Sequence, residues 1–201
     1  MAAAHVGRLT AVEITGTIQP ATRAEWRDWL ARHYRDRSEI WLVTPRKATG
    51  RPGVVYNDAV EEALCFGWID GIRKSLGEDR LAQRFTPRRD GSAFSQLNRE
   101  RLARMIGEGR VAAGVVEAIS SSDDLRPESF SIPADILDAL RATPEAWRHW
   151  QGFSPAYRRI RAAYVDTARA RDEAEFRKRL DHLVRRTAAG KQFGYGIESY
   201  Y

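Results

Sequence analysis

Apolar residues in the first part of the chain alternate between helical spacing and short continuous runs. Trp26 and Trp29 recur at helical spacing behind Thr22, which stands three residues ahead of a glutamate, so a capped helix is predicted there. The run at 40–43 reads Ile-Trp-Leu-Val and stops before Pro45, a pattern typical of a buried strand. We expect the two tryptophans to pack inward, because large aromatic side chains at this spacing usually form the core.

The next segments predict a helix followed by a β-hairpin. The helix is expected to start at Asp58 and to end at Gly67, since glycine is a natural helix stop. Segments 68–76 and 79–86 then have strand character on either side of Gly77-Glu78, which fits a two-residue hairpin loop with glycine first. This loop would set the register of the whole hairpin.

The overall pattern predicts an α+β protein. Residues 1–120 are expected to form a small antiparallel sheet packed with helices, and their first 20 residues either hold a short strand around 11–18 or are loose. A polar stretch opens a linker at 121–132, a helical C-terminal part follows at 133–190, and the tail 191–201 has no periodicity. Because the helical part is rich in aromatic residues, we expect it to pack partly on the first part and to unfold with it.

Asp70 is distinctive because the predicted hairpin places it on an otherwise apolar face. With the loop at Gly77-Glu78, Trp68, Leu81 and Phe85 share that face and meet the core. A carboxylate in such surroundings needs a hydrogen-bond donor. Two roles are open: a structural aspartate that caps backbone amides, or a member of a functional site.

The opposite face of the hairpin is predicted to carry a basic stripe. It consists of Arg73, Arg80 and Arg84, and it continues past the strand as Arg88 and Arg89. Guanidinium forks suit phosphate and carboxylate groups, so the stripe is a candidate anion-binding surface. The alternative is an ordinary solvated face, because exposed arginines on a sheet are common.

Positive charge is concentrated toward the end of the chain. The formal net charge is +6, and residues 141–191 contain 13 basic and 6 acidic residues. This density suggests a polyanion or an anionic small molecule as partner, and nucleic-acid binding would be sequence-nonspecific because no base-reading motif is present. In the last helix, Lys178 and Arg185 fall nearly opposite the apolar side, on a face that is either solvated or polyanion-binding. A compositional origin is the alternative, since only 4 of the 33 basic residues are lysines, as in proteins from GC-rich genomes.

The sequence contains no familiar catalytic, metal or cofactor motif. Its four histidines show no ligand spacing, and no P-loop, nucleophile elbow or dinucleotide-binding glycine pattern occurs. Cys65 is the only cysteine, which excludes an intramolecular disulfide. An apolar run of about 18 residues and a signal-peptide pattern are both missing, so we expect a cytoplasmic protein without a transmembrane segment. We also expect no cofactor and no bound metal.

Several segments together resemble one known family. The segment 56–71 reads Tyr-Asn-Asp-Ala-Val-Glu-Glu-Ala-Leu-Cys-Phe-Gly-Trp-Ile-Asp-Gly, and the segment 84–89 is followed by Ser95 and Asn98. With the helical region 132–190, these segments are similar to the YdeI/OmpD-associated family over about 170 residues. One departure is the residue before Ser95, a phenylalanine where the family usually has tryptophan.

This resemblance implies a fold like that of the YjbR and frataxin-like proteins, and a role in envelope stress, antimicrobial-peptide resistance or bacteriocin protection. It brings no established chemistry. Iron binding of the frataxin type is not expected, because Glu25 and Asp28 on the first helix are outnumbered by Arg23, Arg27 and Arg32.

The resulting hypothesis is a non-enzymatic stress-response or envelope-protection protein that binds an anionic ligand or partner through an arginine-rich surface. The alternative is an enzyme of unknown reaction with a pocket near Tyr56, Trp68 and Asp70. The candidate ligand-binding residues are Tyr56, Trp68, Asp70, Arg73, Arg80, Arg84, Arg88, Arg89 and Asn98.

Overall fold

The structure is a computed structural model that describes residues 13–89, 91–120, 126–194, 196–197 and 201. The first residues of the strand expected at 11–18, and most of the polar start of the linker, therefore lie outside the described residues. In chain order, the elements are β1 (Thr17–Ile18), α1 (Arg23–His33), β2 (Ile40–Pro45), α2 (Tyr56–Cys65), β3 (Trp68–Leu76), β4 (Arg80–Pro87), α3 (Gln96–Gly107), α4 (Ala113–Ser120), α5 (Ala134–Arg141), α6 (Pro144–Gly152), α7 (Pro155–Arg169) and α8 (Glu173–Ala188).

The strands form one four-stranded sheet in the order β1-β2-β4-β3. The short β1 runs parallel to β2, whereas the β2–β4 and β4–β3 pairs are antiparallel. The central strand β2 is buried on both faces: Trp41 and Val43 pack with Ala82 on one side, while Ile40 and Leu42 join the helices on the other. The α+β class predicted from the sequence is confirmed.

The hairpin loop is one residue longer than the sequence predicted. Leu76 pairs with Arg80, so three residues, 77–79, form the loop, and the first of them is a glycine at φ +70°. Glycine adopts this conformation without strain. The backbone N–H of Arg46, just after β2, donates to the carbonyl of Asp79 over 2.7 Å, which holds the third loop residue beside the sheet. The predicted two-residue loop was therefore wrong.

A β-bulge in β3 absorbs the extra loop residue. Between Asp70 and Arg73 the register shifts, so Asp70 pairs with Phe85, as predicted, while Arg73 pairs with Gln83. The amide nitrogen of Gln83 donates to the carbonyl of Gly71 over 2.7 Å and supports the bulge. Because a bulge adds one residue to one strand, every side chain of β3 beyond it changes face relative to the prediction.

Helices α1 and α2 cover one face of the sheet and form the first core. Trp26 is fully buried, stacks on Trp29 with the ring centroids 5.5 Å apart, and lies 5.3 Å from the ring of Phe85 on β4. Its indole N–H donates to the carbonyl of Ala59 in α2 over 3.0 Å. The inward packing predicted for the α1 tryptophans is confirmed.

Helices α5 to α8 enclose a second core around Trp150, Phe176 and Leu183. Within the described parts of the chain, no helix combines the length and apolarity needed to cross a membrane.

An ion pair and a buried amide join the two parts. Arg159 on α7 donates two hydrogen bonds, of 2.7 and 3.0 Å, to the carboxylate of Glu100 on α3. Gln96, also on α3, donates to the carbonyl of Pro127 in the short 3-10 turn Pro127–Ser129 that ends the polar stretch. The C-terminal helices therefore pack on the first part, as expected.

Candidate functional site

Two of the predicted site residues, Tyr56 and Asp70, meet at the junction of α2 and β3. The Tyr56 hydroxyl donates to Oδ2 of Asp70 over 2.7 Å. Tyr56 is 45% exposed and Asp70 is half-buried, so the carboxylate has the expected donor but is less buried than its apolar strand face suggested. Partial burial, together with the hydrogen bond to Asp70, raises the pKa of the Tyr56 phenol above its ordinary value.

Beside this contact lies a buried guanidinium that sequence reasoning missed. Arg101 on α3 is only 4% exposed, and it donates to the amide oxygens of Asn57, over 2.7 Å, and Asn98, over 3.0 Å. Burial lowers the pKa of Arg101, although the nearby Tyr201 and Glu61 act in the opposite direction. Asn98, a predicted ligand-binding candidate, therefore helps to hold Arg101. The i to i+3 spacing of Asn98 and Arg101 on one helix was the available signal.

Trp68, the third member of the predicted pocket, is a core residue. It is 1% exposed, its indole N–H donates to the carbonyl of Tyr34 over 3.1 Å, and its ring meets that of Trp29 edge-on. It anchors the start of β3 and does not share a solvent-accessible wall with Tyr56 and Asp70.

The predicted basic stripe is divided by the bulge in β3. Cross-strand partners share a face, so Arg73 lies on the face of its partner Gln83, opposite to Arg80 and Arg84. Arg84 forms an ion pair with Glu39, and the Arg80 guanidinium lies 3.6 Å from the carboxylate of the adjacent Asp79. The prediction that Arg73, Arg80 and Arg84 form one basic face is wrong.

Arg88 and Arg89, which follow β4, line a cleft of about 610 Å³. Its apolar wall comes mainly from α2, α3, α4 and the loop before α3, and Arg35 from the end of α1 completes the basic side. The Arg88 guanidinium lies 3.4 Å from the centroid of the Phe94 ring, and that of Arg35 lies 5.0 Å from the Tyr34 ring. The apolar lining residues are Leu64, Phe94, Leu102, Val115, Ala118 and Ile119.

A second feature missed at the sequence level is a buried ion-pair network between α1, α2 and α3. Glu61 and Glu62 are each 1% exposed, although they lie on the helix that carries the first core. They are paired with arginines of α1, α3 and the segment after α3: Arg23, Arg27, Arg104 and Arg110. Two adjacent glutamates within an apolar helical run were the signal, since buried carboxylates require cationic partners.

Two family models match the chain in succession. Residues 129–190 match the family described as bacteriocin-protection, YdeI or OmpD-associated, which supports the resemblance over the C-terminal helices. The segments at 56–71 and 84–98 lie instead in the other match, and a relation to the YjbR and frataxin-like proteins stays a prediction. Neither a curated protein nor a solved structure matches the chain. Because the other match spans residues 18–118, half of the chain, the protein belongs to the family of the domain of unknown function DUF8412.

Proposed function

We propose that the protein is a non-enzymatic binding protein of the envelope-protection type, and that its ligand is an anion with an apolar body held in the cleft beside Arg88 and Arg89. The family description matched by residues 129–190, bacteriocin protection and OmpD association, supports the envelope-related role. A cytoplasmic location, expected from the sequence, belongs to the same proposal, and cell fractionation tests it.

The single observation that carries the ligand proposal is the two-sided chemistry of the cleft. Apolar side chains form one wall, and burying an apolar ligand body there gains about 25 cal/mol for each Å² removed from water. Arg35 and Arg88 lie over aromatic rings, which restrict their motion, while guanidinium N–H groups point outward in the guanidinium plane. Such a cleft favours a ligand that combines an acyl or aryl body with a carboxylate.

Calorimetric titration with decanoate, decanol and acetate tests this proposal. Decanoate should bind. Decanol lacks the charge and acetate lacks the apolar body, so both should bind at least about tenfold more weakly than decanoate. Arg89→Gln should weaken decanoate by removing a rim charge, and Ala118→Trp should block the cleft. The matched control is Arg171→Gln, an exposed arginine at the α7–α8 turn. Equal affinity for decanol and decanoate, or unchanged binding by the Ala118 variant, would refute the proposal.

A polyanion partner is the second candidate, favoured by the basic excess of residues 141–191. Binding through phosphate contacts would be sequence-independent and would fall steeply with salt. Titration of labelled single- and double-stranded oligonucleotides at low and physiological salt measures this directly. If no oligonucleotide binds at low salt, the nucleic-acid form of this candidate is excluded.

An enzyme with its site near Tyr56, Trp68 and Asp70 is the alternative from a different class. The observation in its favour is the hydrogen bond between Tyr56 and Asp70, beside the buried Arg101. The cleft beside Arg89 is lined by none of the three proposed site residues, so the two hypotheses concern separate places. Crystals of the protein soaked with small carboxylates and phosphates would show whether these anions bind in the cleft beside Arg89 or beside Tyr56 and Asp70.

A further inference from the structure

A groove separate from the cleft runs along α8, with α7 and the chain after α8 as its other walls. Its volume is about 960 Å³. Among its described lining residues, two carboxylates stand against five arginine or lysine side chains. The five are Arg161, Arg177, Lys178, Arg179 and Arg185. Glu175 accepts a hydrogen bond from Arg179 over 2.8 Å and lies 3.7 Å from Lys178, whereas Asp181 is exposed. Arg177 pairs with Glu173 over 3.2 Å, so the anion is expected at Arg185 rather than at these three side chains.

Aromatic rings order the guanidinium groups along this groove. The Arg179 guanidinium carbon lies 4.3 Å from the centroid of the Tyr164 ring, and that of Arg161 lies 5.0 Å from the same ring and 5.1 Å from Phe193. Arg161 is buried, whereas Tyr164 is 42% exposed. A guanidinium that lies over a ring interacts through its flat face and presents its N–H donors at its edges. The alternating stack therefore orients both guanidinium groups, and Arg179 is in addition paired with Glu175.

His182 lines the groove together with these basic side chains. Its ring meets Phe193 edge-on with the centroids 4.8 Å apart, and its Nδ1 lies 3.2 Å from a guanidinium nitrogen of Arg185, so neutral His182 accepts this hydrogen bond. Burial, followed by the charges of Arg185, Arg186 and Arg161, lowers the pKa of His182 below its ordinary value. Glu175 and Asp181, the two carboxylates of the groove, do not restore the pKa of His182 to its ordinary value.

We propose that this groove binds a doubly charged oxyanion of the phosphate or sulfate type, and that the anion is held between Arg185 and His182. An oxyanion there accepts hydrogen bonds from the edge of the Arg185 guanidinium, and its negative charge opposes the positive potential that the arginines exert on the His182 ring. Because an adjacent anion favours the imidazolium, His182 takes up one proton from the solvent on binding. The hydrogen bond from Arg185 to its Nδ1 is then broken, and the anion accepts from both the guanidinium and the imidazolium in its place. Affinity should therefore rise as the pH falls, provided that the ligand keeps its own charge.

Sulfate is the suitable probe because it remains a dianion throughout the range from pH 7.5 to 5.5. In low-salt buffer, calorimetry should show sulfate binding to the full chain with an affinity that rises about fivefold across this range. Arg185→Gln should weaken binding at every pH, whereas His182→Asn should abolish the pH dependence. Arg171→Gln, outside the groove lining, is the control and should leave both the sulfate affinity and its pH dependence unchanged. Matching thermal melts verify that the variants are folded.

A second measurement distinguishes a free ion from a lipid headgroup as the source of the oxyanion. Vesicles of phosphatidylcholine with phosphatidic acid are compared with phosphatidylcholine alone. Vesicle binding without sulfate binding, lost in Arg185→Gln, would assign the site to a headgroup, and sulfate binding alone would assign it to a soluble anion. The proposal is overturned if neither probe binds, if the control weakens binding as much as Arg185→Gln, or if His182→Asn keeps the wild-type pH dependence.

Discussion

Glu62 provides the sharpest test of the packing between α1, α2 and α3. Its carboxylate accepts hydrogen bonds from Arg23, over 2.5 Å, Arg27, over 2.6 Å, and Arg110, over 2.5 Å. Glu62→Gln keeps the volume and one acceptor oxygen but removes the charge. Arg23 retains Asp58 as an ion-pair partner, whereas Arg27 loses the carboxylate that pairs with it.

The structure sets the expected size of this effect. Three charge-assisted hydrogen bonds at about 1.5–3 kcal/mol each would suggest a loss of about 4.5–9 kcal/mol. However, the three arginine side chains are between 26% and 36% exposed and can recover water. Removing one partner of a buried pair costs about 3–5 kcal/mol, and solvent access to the arginines places Glu62→Gln near the lower end, at about 3 kcal/mol.

Urea unfolding followed by tryptophan fluorescence measures this loss as a lower midpoint at unchanged slope. Glu117→Gln on α4 is the matched control, since Glu117 is exposed, and it should change the free energy of unfolding by less than about 0.5 kcal/mol. If Glu62→Gln behaves like this control, the buried network does not stabilise the fold and the reasoning fails.

The pH dependence of the same difference provides a second check. Burial alone would raise the pKa of Glu62, but hydrogen bonds from Arg23 and Arg27 and the charges of Arg23 and Arg110 outweigh it and lower the pKa. A lowered pKa in the folded state means that the stabilisation is complete above the unfolded-state pKa, about 4.3. It is lost as the pH falls through the folded-state pKa. The free-energy difference between wild type and Glu62→Gln should therefore be constant near neutral pH and shrink in acid.

Three further substitutions test the junctions of the fold. Asp70→Asn should lower the free energy of unfolding by about 1 kcal/mol and shift the titration of the Tyr56 phenol to lower pH. The phenol signal is measured as the ultraviolet difference between a protein and its Tyr56→Phe variant, and an unchanged titration would contradict the contact between Tyr56 and Asp70. Arg159→Gln removes the ion pair of the 6% exposed Glu100 and leaves it the hydrogen bond from Gln96, so it should cost about 2–3 kcal/mol within a single unfolding transition. Two transitions in the wild type would refute a cooperative unit. Gly77→Ala should cost about 1 kcal/mol by thermal melting, because the φ of +70° strains an L-residue; a neutral effect would contradict the loop geometry.

Features of the fold that depend on local sequence were predictable. The hydroxyl of Thr22 caps α1 by accepting from the N–H of Glu25, and Ser95 caps α3 in the same way through Asn98. The Thr22 cap was predicted correctly because the donor and acceptor lie three residues apart. The apolar spacing likewise identified the helices that carry Trp26 and Trp150, since a helix must bury its apolar stripe wherever it packs.

The hairpin face could not be predicted, because its register depends on contacts between residues that are distant in the sequence. The backbone of Asp79 is bound by Arg46 beyond β2, and the bulge is supported by the side chain of Gln83 from the neighbouring strand. Neither contact has a local sequence signal. One added residue was enough to separate Arg73 from Arg84, which changed the candidate site although β2, β3 and β4 were assigned to nearly the right residues. The strand predicted around 11–18 is limited to Thr17–Ile18 within the described residues.

The partners of the arginines, rather than their number, determine where an anion can bind. Arg23, Arg27, Arg104 and Arg110 face buried carboxylates, so their charge is used within the fold and an added anion would have to displace a glutamate. A ring contact orients a guanidinium without neutralising it, but a carboxylate can still pair with the same side chain: Arg27 lies over Phe66 and pairs with Glu62, and Arg179 lies over Tyr164 and pairs with Glu175. Net charge along the sequence does not distinguish arginines that are paired with buried carboxylates from the other arginines. We therefore expect anion recognition beside Phe94 and at Arg185 in the groove along α8, and not at the four arginines of the buried network.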